Sequence, residues 1–98
     1  MENNTKIDFF QLKKTALILR ALNHKLRQQI FNLLEVRGKL TVTDIYVELK
    51  LEQSVASQHL AILRTAGIVK TEREGKFVYY KLNHERIAQI DSATKQFL

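Results

Sequence analysis

Residues 54–82 read SVASQHLAILRTAGIVKTEREGKFVYYKL, and this stretch constrains the fold more than any other. A short helical pattern carries small and polar residues on one side and stops at Gly67. Two runs rich in β-branched and aromatic residues follow, joined by Glu74-Gly75-Lys76. A glycine between two such runs marks a hairpin tip. Helix, stop and hairpin in that order predict a recognition helix followed by a β-wing. The polar side chains on the helix are of the types that read base edges and phosphates.

The remaining pattern is helical. A first helix is predicted from about Asp8 to Ala21, with Phe9, Leu12, Ala16 and Leu19 forming one apolar stripe and Phe10, Leu17 and Ala21 a second. Together they are wider than the face one surface helix needs. Two apolar faces predict packing on the helix's own domain and on a second chain; the alternative is a helix wrapped entirely by its own core. A second helix runs from about His24 to Val36, capped by Asn23, with Leu26, Ile30, Leu33 and Leu34 inward. A third covers about Val42 to Leu49, where Thr41-Val42-Thr43-Asp44 has capping-box spacing and Ile45 with Leu49 gives a buried pair. The fourth runs from Gln53 to Ala66 on Ala56, Leu60 and Leu63. Gly38 and Gly67 each follow a helical pattern, where a left-handed residue is wanted. The wing strands are Ile68 to Arg73 and Lys76 to Leu82, with Val78, Tyr80 and Leu82 alternating onto the inner face. A last helix, Glu85 to Phe97, carries Ile87, Ile90 and Phe97, a stripe suited to pairing with the first helix across a dimer.

The fold class is therefore mainly α (α+β), a winged helix-turn-helix of order α-α-α-α-β-β-α. Its 98 residues make a single domain, 1–98, with a core over 22–82 and dimerisation helices over 8–21 and 85–97. So short a chain buries only a modest core, which a second copy would extend. Sixteen Lys and Arg against ten Asp and Glu give a formal charge of +6, favouring a polyanionic partner, nucleic acid first. There is no cysteine, so no disulfide, thiol sensor or thiolate metal site can form. The start MENNTKIDFF lacks the basic and apolar runs of a signal peptide, and no apolar stretch approaches the roughly 18 residues of a membrane span. A cytoplasmic location with no membrane partner is expected. Ser/His/Asp and Cys/His arrangements, phosphate-cradling glycine loops and cleft carboxylate pairs are lacking, so no catalysis is expected.

The segments LNHKLRQQIFNLL, GKLTVTDIYVELKLEQSVASQHLAILRTAGIV and EGKFVYYKL resemble the ArsR/SmtB family of winged-helix repressors, over roughly Leu22 to Leu82. The resemblance implies a homodimer joined through its terminal helices, bound to double-stranded DNA at an inverted repeat with each fourth helix in a major groove. Matched residue by residue, its DNA-contacting positions fall on Gln53, Ser54, Ser57, Gln58 and His59, with wing contacts near Arg73 and Lys76. The chemistry agrees. Gln58 can pair bidentately with adenine, serine hydroxyls serve bases or phosphates, and wing cations supply salt-sensitive affinity. Each residue keeps a plainer reading. Ser54 and Ser57 are common helix-start residues, His59 could be partly packed, and Arg73 and Lys76 could merely solvate a hairpin. Tyr79 would flank the wing while Tyr80 packs in the core.

The chain departs from the family in its sensor positions. Where many relatives carry Cys-x-Cys, Thr41-Val42-Thr43 stands, which lacks soft thiolate ligands. On the last helix, His84, Glu85 and Asp91 have the wrong spacing for the family's other metal site, so no metal and no cofactor are expected; His84 and His24 read as helix-start residues. Lys25 replaces a frequent proline, Lys50 a frequent glycine and Glu52 a frequent serine at the fourth helix's start. The reading is a sequence-specific DNA-binding regulator, a homodimeric repressor responding to no specified effector. Its rival is a protein-interaction module on the same scaffold, which Glu52 favours and the +6 charge opposes.

Overall fold

The computed structural model describes residues 8–89. Its helices are α1 (Phe9–Leu22), α2 (Lys25–Arg37), α3 (Val42–Glu48) and α4 (Gln53–Thr65), with a two-residue strand β1 (Lys39–Leu40) between α2 and α3. The hairpin strands β2 (Val69–Glu74) and β3 (Phe77–Leu82) follow, and residues 84–89 are helical (α5). The expected order holds, with β1 as an addition. The expected positions Ile90, Asp91 and Phe97 of the last helix lie outside the described residues.

Local chemistry sets most boundaries. Asp8 caps α1 by accepting from the Gln11 amide, and Thr41 and Asp44 form the reciprocal capping box of α3. Asn23 does not cap α2. It closes α1 instead, its N–H donating to the Arg20 carbonyl, and His24 caps α2 by accepting from the Leu26 amide at its Nδ1. Gly38 ends α2 at φ 91°, a left-handed geometry that glycine adopts without a Cβ penalty. Lys50 takes φ 56° between α3 and α4, a left-handed geometry in a non-glycine residue.

The core is one cluster. Ile18 of α1, Ile30 and Leu34 of α2, Ile45 of α3, Leu60 and Leu63 of α4, and Ile68 are its fully buried side chains. Each contributes on the order of 1.5–3 kcal/mol by leaving water. The inward face of α1 is Thr15, Ile18 and Ala21; of the two expected stripes, only Ala21 is buried. Thr15 can be buried because its hydroxyl donates to the Gln11 carbonyl one turn back, at 2.9 Å. Phe9, Phe10, Leu17 and Leu19 consequently point outward, 72%, 69%, 51% and 52% exposed. The helix is not wrapped by its own core.

The sheet runs β1-β3-β2, all antiparallel, with Leu40 opposite Tyr80, Val69 opposite Leu82 and Arg73 opposite Val78. Residues opposite one another share a face. Leu40, Val69, Tyr80 and Leu82 therefore face the helices together. Burial fades along that face, from Leu82 in the core to Val78 at 38% exposure, because the hairpin outruns the helices beneath it. The outer face carries Lys39, Glu72, Glu74, Tyr79 and Lys81.

Candidate nucleic-acid interface

Two faces of α4 carry different chemistry. Ala56, Leu60 and Leu63 anchor it on the core. Gln53, Ser54, Ser57 and Gln58 all lie exposed on the other side. At about 100° per residue these four fall in one sector, so two amides and two hydroxyls project together from the helix's first two turns. The N-cap is Glu52, whose side chain makes no capping hydrogen bond. The amides of the first turn are left to an outside acceptor, at the end where the helix dipole is positive.

His59 does not share that sector. One residue step turns it away from Gln58 into the crevice between α4 and the start of α2, where it is half-buried. Its ring lies 4.6 Å from the His24 ring, centroid to centroid, and Arg27 Nη1 donates to its Nδ1 at 3.4 Å. Burial, with the nearby His24 and Arg27, holds its pKa below the ordinary 6.5. Sequence spacing could not reveal this, because the partners lie 32 and 35 positions away in the chain.

The wing is acidic and basic in sequence but sorted in space. Lys39 of β1 pairs with Glu74 and reaches Glu72 at 3.8 Å, while Lys81 pairs with Glu72. The hydrogen bond from Lys81 holds the Glu72 carboxyl below its ordinary 4.5. Both wing carboxylates are thereby neutralised on the outer face. Arg73 and Lys76 are exposed and enter no ion pair among the described residues. Arg73 shares the helix-side face with Val78, and Lys76 lies at the tip with its ammonium 5.5 Å from the Phe77 ring centre. Tyr80 packs on the core, while Tyr79 stands on the outer face beneath Lys39. The role of β1 was missed in the sequence, since two residues carry no periodicity.

Among the described residues, no three His, Cys, Asp or Glu side chains gather as a metal-binding group. No helix there is long and apolar enough to cross a membrane.

Residues 24–71 match the profile described as bacterial regulatory protein, arsR family. The transcriptional repressor PagR of Bacillus anthracis is 36% identical over 85 residues, covering 87% of this chain and 85% of PagR. The chain belongs to the arsR family of bacterial regulatory proteins. Its relatives there include the transcriptional activator HlyU of Vibrio cholerae, 36% identical over 76% of this chain and 68% of HlyU. The crystal structure of PagR superposes at TM-score 0.76, with 33% identity over 88% of this chain and 99% of that one. The solution structure of the homodimeric winged helix-turn-helix DNA-binding domain Mb0332 from Mycobacterium bovis also gives 0.76, at 28% identity over 93% of this chain and 85% of that one. As an arsR-family member the protein is a transcription regulator and not an enzyme, and α3, α4 and the β2–β3 hairpin are the helix-turn-helix and wing.

Proposed function

We propose that this regulator is a cytoplasmic homodimeric repressor that binds an inverted-repeat operator in double-stranded DNA, without a resident metal or cofactor. The observation that carries this reading is the shared exposure of Gln53, Ser54, Ser57 and Gln58 on α4 beside a wing on which Arg73 and Lys76, near the hairpin tip, enter no ion pair among the described residues. Gln53 and Gln58 would address base edges, with Ser54 and Ser57 serving base or phosphate. Arg73 and Lys76 would hold the flanking backbone. His59 supports the helix from behind in this reading.

The dimer is supported by the outward apolar face of α1 and by the homodimeric relative from M. bovis. Repression follows if two α4 helices occupy successive major grooves about 34 Å apart and exclude the polymerase. That the similar PagR is named a repressor supports this sense of regulation.

The test is fluorescence anisotropy with DNA from upstream of the protein's own gene, against excess nonspecific competitor at two salt concentrations. Competitor-resistant binding at two protomers per site is expected. If competitor abolishes it at both salts, selection from random DNA follows; failure to enrich any sequence there overturns the reading in favour of a protein-interaction module, which the exposed Glu52 at the start of α4 would suit.

A further inference from the structure

The crevice behind the recognition helix holds three basic side chains and no acidic one. His24 sits at the corner where the chain passes from α1 to α2, and its Nδ1 accepts from the Leu26 amide at 3.1 Å. Arg27, one turn on, donates through Nε to the Ala21 carbonyl at the end of α1. The same guanidinium donates through Nη1 to His59 Nδ1 on α4. One arginine thus ties the end of α1, the start of α2 and the middle of α4. Arginine can only donate, so in this contact His59 Nδ1 accepts, and the His59 ring is neutral with its proton on Nε2.

Protonation removes what this arrangement depends on. An imidazolium has two donors and no acceptor, so a charged His59 can no longer receive Arg27. It also sets like charges against one another in a half-buried crevice. His24 and Arg27 face His59 from α2, and Arg20 of α1 lines the same open hollow as Arg27, a space of about 400 Å³ between α1 and α4. On α4 itself, Glu52 shares the side of His59 but lies two turns away, about 10 Å along the axis, too far to offset them. The hollow gives the Arg27 guanidinium room to withdraw.

We propose that His24 and Arg27 are positioning residues for the recognition helix, acting through His59, and that they hold α4 in place only while the His59 ring is neutral. The inference rests on the reading that α4 meets DNA. The sign is fixed by the chemistry. His59 is harder to protonate in the folded protein than in a free chain, so the latched state binds fewer protons than the released one. The latch is intact above the ordinary 6.5 and is lost as pH falls through the lower folded value. A histidine touching a DNA phosphate would behave oppositely, strengthening binding on acidification. Glu72 stays ionised across this window, because its own pKa is lowered, and leaves the wing unchanged.

The experiment compares full-length wild type with His59→Asn and His59→Leu, measuring affinity for DNA selected by this protein at pH 7.5 and 6.0. Asparagine places a permanent acceptor near the position of Nδ1 and does not titrate. The expected result is wild-type binding several-fold weaker at pH 6.0, His59→Asn binding at wild-type strength at pH 7.5 with a flat pH profile, and His59→Leu weak at both. Equal or tighter wild-type binding at pH 6.0, or an acid loss that persists in His59→Asn, overturns the proposal; circular dichroism confirms that each variant is folded. Histidine ¹⁵N spectra of the free protein decide the latch without DNA. Unprotonated Nδ1 on His59 and an upward shift of the His59 midpoint in Arg27→Gln are expected, and a proton on His59 Nδ1 at pH 7.5 would refute it. Should no DNA be bound at all, the functional reading fails while these spectra still judge the latch.

Discussion

Single residues divide here by whether their role depends on near or distant neighbours. Gln53, Ser54, Ser57 and Gln58 were legible in the sequence as a polar sector, because helical periodicity alone brings them together. His59 was not, since its surroundings come from α2 across the fold. Replacing Ser57 and Gln58 together by Ala should leave thermal unfolding unchanged and cost operator discrimination, at about 1–3 kcal/mol for the Gln58 base pairing; competition titrations with operator and scrambled DNA measure it. Glu52→Ser should tighten binding, because an uncapped, exposed carboxylate at the start of α4 repels an approaching phosphate while serine would cap the helix. An unchanged or weaker affinity for the same DNA would sink that idea. Gly67 is held by two constraints. Its φ is 81°, and a Cβ there would meet Arg86 Nε at 3.2 Å. Gly67→Ala should therefore lower stability by more than about 1 kcal/mol, read as a shifted urea midpoint at constant slope.

Among the elements, α2, α3 and α4 were legible because their inward residues recur at helical spacing and their ends carry recognisable stops. The inward face of α1 was hidden. Its register runs through Thr15, whose hydroxyl is satisfied within its own helix, while the more apolar residues point out. Strand β1 was hidden for another reason: two residues become a strand only when β3 is already beside them. That pairing also brings Lys39 to the wing's carboxylates. Element junctions give a test of local strain. Lys50 holds a left-handed φ of 56° in the α3–α4 turn. Lys50→Gly should raise stability by about 1 kcal/mol, seen as a higher melting temperature, if the relief of strain exceeds glycine's entropic cost. Thr41→Ala should lose about 1 kcal/mol with the capping box of α3.

At the scale of the molecule, charge and apolar surface are distributed for different partners. Near the hairpin tip, Arg73 and Lys76 enter no ion pair among the described residues, whereas Lys39 and Lys81 are engaged by Glu72 and Glu74. Each of Arg73→Ala and Lys76→Ala should reduce the salt dependence of binding by about one phosphate contact per protomer, while Lys39→Ala should act instead by unmasking acid on the wing. The outward Phe9, Phe10, Leu17 and Leu19 predict a melting temperature that rises with protein concentration, and Leu19→Lys should abolish that rise. The strand order β1-β3-β2 has a further consequence. Among the described residues it leaves β2 as the long open edge of the sheet, and β2 reads Val69, Lys70, Thr71, Glu72, Arg73, Glu74. An unpaired strand invites another strand to add to it, and charged residues along it discourage that growth. A sheet edge guarded in this way disfavours fibre growth by strand addition and leaves the outward apolar face of α1 as the surface for a second copy.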